Sequence, residues 1–170
     1  MLAFFVRPLR FLVKGMLADD GPRRVALGLA IGMIIGLVPK GNLVAIALSL
    51  LLFGTKVNPG AGLCAAFVFS WVAIAWEPFL HRAGLLVLTA PGWQSTFATA
   101  YDWPFIPWTR LNNTLVLGGL LVGLYLFYPT YWFAKKGIER VRPTLLARVQ
   151  KYRLARVLFG ADLTTSWSIG

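Results

Sequence analysis

The chain has 170 residues, 58% of them hydrophobic and only 14% charged, with a mean hydropathy of +0.68; a water-soluble domain carries roughly 25% charged residues, so one membrane domain is expected. The net charge is +11, but five basic residues lie in 1–24, eight in 134–170 and only four in 25–133. Basic ends around an apolar middle follow the positive-inside pattern, and without a recognition motif they exclude a nucleic-acid partner.

Residues 1–24 are not read as a signal peptide, because Arg7, Arg10 and Lys14 interrupt the apolar residues. On a helix those three share one face, which predicts an interfacial, amphipathic basic helix on an anionic leaflet. Asp19, Asp20, Gly21 and Pro22 form a turn, and Arg23 and Arg24 hold the start of the next segment in the cytoplasm.

The transmembrane domain is read as 25–133. Its first part, 25–53, contains two apolar runs separated by Pro39, Lys40, Gly41 and Asn42. Fourteen residues of helix reach roughly 21 Å, short of a hydrocarbon core of about 30 Å, so the two runs read as a re-entrant hairpin with a polar tip. Gly28, Gly32 and Gly36 recur every four residues and form a side-chain-free face for close helix packing. Gly119 and Gly123 repeat that spacing and offer a mate for it; a second copy of the chain is the other.

Lys56 and Asn58 lie in the next turn. Within residues 57–90 the charged residues and histidine are Glu77, His81 and Arg82, with Pro78 set to kink or stop a helix. They read as either one kinked crossing or a second broken hairpin. Residues 91–113 hold three prolines, three tryptophans and one tyrosine, and read as a periplasmic aromatic loop. Residues 114–133 are long enough to span by themselves, and the basic residues after Phe133 place that end in the cytoplasm. Residues 134–170 form a basic cytoplasmic tail with a helix over 144–160 and a loosely ordered end. The fold class is therefore all-α: a polytopic helical protein of the bacterial inner membrane, with both termini cytoplasmic.

Catalytic signatures are missing from the sequence. One histidine, His81, and one cysteine, Cys64, do not make a metal site of the usual kinds, and no nucleophile triad or phosphate loop is readable. The expectation is a non-enzyme without cofactor. What remains is the polar set at the breaks: Lys40, Asn42, Lys56, Asn58, Glu77, His81 and Arg82. Intramembrane ionisable groups mark functional sites by default, and broken helices are where transporters hold substrate. Lys40 and Arg82 are candidates for a lipid or solute phosphate and Glu77 for proton exchange. The alternative is that these side chains snorkel or cap helices.

The run from Leu27 to Pro59 resembles the bacterial membrane family called domain of unknown function 2062. Gly28, Gly32, Gly36, Pro39, Gly41 and Asn58 fit its pattern, and the resemblance covers about residues 23–90. Ser70 and Trp71 stand where the family has an Asn-Pro pair, as in a divergent branch. Members are small multi-pass proteins without an established activity, some fused to glycosyltransferase domains. The resemblance implies an inner-membrane location and a link to envelope lipids. Two functions follow as expectations: transport or handling of an anionic lipid or solute through re-entrant hairpins, or a non-transporting subunit that assembles a larger envelope complex. The partners expected are anionic lipid headgroups and a second copy or another membrane protein.

Overall fold

The computed structural model describes residues 21–151, of which 144–151 are described by their backbone alone. The expectations for 1–20 and for 152–170 lie outside the described residues. Within them the chain is all-helical, with seven helices and no strand: α1 (Pro22–Leu37), α2 (Leu43–Gly54), α3 (Pro59–Ala75), α4 (Glu77–Leu88), α5 (Pro91–Tyr101), α6 (Ile106–Thr109) and α7 (Thr114–Lys151).

Local chemistry sets most of the ends. Pro22, Pro59 and Pro91 sit in the first turns of their helices, where a missing N–H costs nothing. α1 stops before Pro39, because a residue preceding proline is pushed to extended backbone; Val38 has φ −82° and ψ 129°. Gly41 turns the chain at φ +86°, in the left-handed region that glycine enters without a Cβ clash. Asn42 and Asn58 then cap α2 and α3.

α1 is the centre of the bundle. α3 runs parallel to it, with Gly28 against the Asn58 carbonyl, Gly32 against Gly62, and Gly36 against Ala66 and Phe69. α7 runs antiparallel on another face, with Gly119 against Leu37, Gly123 against Ile34, and Ile138 packed with Val25 and Ala26. α2 folds back along α1, and its one large buried side chain, Leu52, joins Ile31, Ile35 and Ala66. At the foot of this hairpin the Asn58 N–H donates to the Arg24 carbonyl at 3.2 Å, so α2 returns the chain to the level at which α1 began.

The mate of the glycine stripe is therefore α3, not the Gly119–Gly123 pair, which meets α1 on a different face. Residues 57–90 form two helices bent by 82° at Trp76, where Pro78 opens α4. Residues 91–113, expected as a loop, are largely helical. Only Pro91 falls within α5, at its first turn; Pro104 lies between α5 and α6, and Pro107 in the first turn of α6. The last helix does not end at Phe133. It continues through the basic segment to Lys151, since 134–142 is mostly good helix-forming residues and Ile138 anchors it on α1. Among the described residues, α7 is the one helix long and apolar enough by itself to cross a membrane, over Thr114–Pro143.

Candidate functional site

The hairpin tip gathers Lys40 and Asn42. The Lys40 ammonium donates to the carbonyls of Ile35 (2.6 Å), Val38 (3.0 Å) and Gly36 (3.2 Å). An ammonium has three donors, and all three here go to the carbonyls that α1 leaves open at its C-terminus, where the helix dipole also favours a cation. Asn42 is 3% exposed. Its Oδ1 accepts the Ala45 N–H at 2.8 Å, while its Nδ2 donates to the Pro39 carbonyl at 2.6 Å. One side chain thus closes the turn and starts α2.

Asn58 caps α3 at the opposite end of α1. It is 5% exposed, and its Oδ1 accepts the Ala61 N–H at 2.8 Å. Its carbonyl lies against Gly28, so the cap and the glycine contact are one construction. From Gly28 to Val38 along α1 is about 15 Å, so Asn58 and Lys40 do not share a site.

Glu77, His81 and Arg82 lie exposed on α4. Glu77 occupies the first turn, where a carboxylate favours the helix dipole. His81 Nδ1 is 2.7 Å from Thr114 Oγ1, which ties α4 to the start of α7. This crossing is close because Gly84 faces the Thr114 carbonyl and Gly118 faces the Leu80 carbonyl. Asn113 caps α7, accepting the N–H groups of Leu115 (2.9 Å) and Val116 (3.3 Å). The structure thus joins Lys40 with Asn42, and His81 with Thr114, and leaves Asn58 apart.

Sequence reasoning missed Gly62, Gly84, Gly118 and Asn113. A signal for the first was present: Asn58, Gly62 and Ala66 repeat the four-residue spacing of Gly28, Gly32 and Gly36, which marks a second small-residue face. Gly84 and Gly118 have no such periodicity. Cys64 is buried in α3. Among the described residues no three His, Cys, Asp or Glu side chains come together as metal ligands would. A shallow open groove of about 510 Å³ on α5 and α6 is lined by Ser95, Thr96, Thr99, Ala100, Trp103 and Ile106.

Between its polar ends, much of the outer surface is apolar. Leu50 of α2 is 67% exposed, with Ile46 and Phe53 also open; Trp71 and Ile74 of α3, Leu86 of α4 and Leu124 of α7 are exposed as well. Exposed apolar area spread over four helices calls for lipid or protein cover.

A family model described as "Uncharacterized protein conserved in bacteria (DUF2062)" matches residues 7–144. A protein of Treponema pallidum (strain Nichols), itself described as uncharacterized, is 26% identical over 144 residues, which is 85% of this chain and 89% of that one. No solved structure matches.

Proposed function

The chain belongs to the DUF2062 family of bacterial proteins, and we propose that it is a multi-pass inner-membrane subunit that holds a larger envelope complex together without transporting a solute. In this reading α7 crosses the bilayer, α3 crosses and bends into α4 at the far interface, and α1 with α2 enters and returns as a re-entrant hairpin. Two helix contacts support the hairpin. Gly36 lies against Ala66 and Phe69, six to nine residues before α3 ends, and Leu37 lies against Gly119, five residues into α7. Both neighbours therefore outreach α1 by roughly 8–13 Å. The polar tip then sits below the far interface, with its backbone groups satisfied by Lys40 and Asn42.

The observation that carries the choice of function is the use of the three Lys40 donors. A substrate site in a broken helix presents unpaired helix ends and a free charge to the ligand. Here the α1 carbonyls and the ammonium satisfy each other, and Asn42 and Asn58 cap helices. The rigid glycine-packed core and the open apolar faces of α2 and α3 fit a subunit that is held by, and holds, neighbours.

The second reading, handling of an anionic lipid or solute, is favoured by Glu77, His81 and Arg82, which are exposed on α4. One set of variants separates the two. Gly32→Leu breaks the core, whereas Lys40→Gln and Arg82→Gln remove charge and keep a donor. For the assembly reading, the native-gel complex from mild-detergent membranes is lost in the first and kept in the other two. Loss of function in Lys40→Gln or Arg82→Gln with the complex intact would favour handling of an anion.

A further inference from the structure

Three basic segments that are far apart in sequence meet at one end of the bundle. Arg23 and Arg24 open α1; Lys56 precedes Asn58, whose N–H is bonded to Arg24; and Ile138, packed on Val25 and Ala26, brings Lys135, Lys136, Arg140 and Arg142 alongside. Arg23, Arg24, Lys56, Lys136 and Arg140 are exposed. The one described acid there, Glu139, lies 3.9 Å from Lys135. The opposite end carries Lys40, Arg82 and Arg110 with two acids, Glu77 and Asp102, and Lys40 is held by carbonyls. At the basic end the Lys136 ammonium stands 3.8 Å over the Trp132 ring, and Phe133 is open beside it. An amphipathic ring supporting an ammonium marks the level where an apolar core gives way to headgroups.

We propose that this collar is a docking surface for the headgroup phosphates of anionic lipids, and that the hairpin tip is not. The proposal rests on the membrane reading above and adds where the lipid charge is met. Several exposed cations at one level attract an anionic leaflet additively, and the attraction weakens with salt. The neighbouring Trp132 and Phe133 favour a lipid surface over a nucleic acid, which has no apolar phase for them to enter.

The test uses the full chain in mild detergent, with phosphatidylglycerol and phosphatidylcholine titrated separately and bound lipid counted by native mass spectrometry. Lys56→Gln with Arg140→Gln should weaken phosphatidylglycerol binding by roughly tenfold to thirtyfold, leaving phosphatidylcholine binding unchanged. Lys56→Arg with Arg140→Lys should bind like wild type, and so should Lys40→Gln. Wild-type phosphatidylglycerol affinity in the folded double glutamine variant overturns the proposal, as does an equal loss in Lys40→Gln. Should the double variant fail to fold by circular dichroism, the wild-type chain decides. Its preference for phosphatidylglycerol must fall from low to high salt, and a salt-insensitive preference overturns the collar. Salt-sensitive binding of a DNA duplex that displaces phosphatidylglycerol would overturn it too. A chain that stays monodisperse without detergent and ignores vesicles defeats the membrane reading itself. A chain that enters vesicles, with a lipid preference the double variant does not change, defeats the collar alone.

Discussion

α1 and α2 are joined by residues 38–42, and both are apolar, yet they use that character in opposite ways. Eleven of the sixteen residues of α1 are buried, against only Ala45 and Leu52 of the twelve in α2. α2 carries no charge at all, while α1 begins with Arg23 and Arg24. Burial therefore does not follow hydrophobicity here. It follows small side chains: the Gly28–Gly32–Gly36 face lets the α3 backbone close on α1, and Gly119 and Gly123 bring α7 in from another side. Close approach multiplies dispersion contacts, which is the force left when the surroundings are as apolar as the side chains. α2 has only the single pair Ala45 and Ser49 at that spacing and no glycine stripe, and it stays on the outside.

The largest test of this contrast is Gly32→Leu. Even a Cβ at Gly32 would collide with the Gly62 carbonyl, which is backbone and has nowhere to move. The cost should exceed about 4 kcal/mol, the range of severe core disruption, and appear as loss of folded yield in detergent. Normal yield would mean that α1 and α3 are not closely packed. Next comes Leu52→Ala, at the one large buried side chain of α2, 1% exposed; about 2–4 kcal/mol is expected from lost contacts and the cavity left behind, read by thermal unfolding in detergent. Asn42→Ala removes the α2 cap and the turn bond to Pro39, for about 1 kcal/mol. Leu50→Ala, two residues before Leu52 but facing out, should change stability by no more than about 0.5 kcal/mol. If Leu50→Ala proves as costly as Leu52→Ala in the isolated chain, the outer face of α2 is packed by the chain itself, and the contrast between the two arms fails.

Much of the local structure was legible in the residues. Proline and asparagine announced where α1 stops and where α2 and α3 start, because a ring clash or a side-chain cap acts within three or four positions. The glycine stripe announced a packing face for the same reason: its period is that of one helix. The site was legible as a set of polar residues at breaks, but not in what they do. That Lys40 turns back onto Ile35, Gly36 and Val38 needed the loop conformation fixed by Gly41. Reading 91–113 as a loop gave its prolines and aromatics too much weight, and ending the last helix at Phe133 took a change in polarity for a change in backbone.

By itself the sequence determined the family, through the pattern of Gly28, Gly32, Gly36, Pro39, Gly41 and Asn58, and also the helical class and the main breaks, which rest on sterics and hydrogen bonding over a few residues. Only the tertiary structure decided that α3 is the mate of α1, that α2 is its outer cover, that Gly84 and Gly118 cross, and that Arg23, Lys56 and Arg140 share one end. Those outcomes depend on which distant surfaces approach closely enough to gain contact, and an apolar side chain reads the same in sequence whether it meets a neighbouring helix or the surroundings of the bundle.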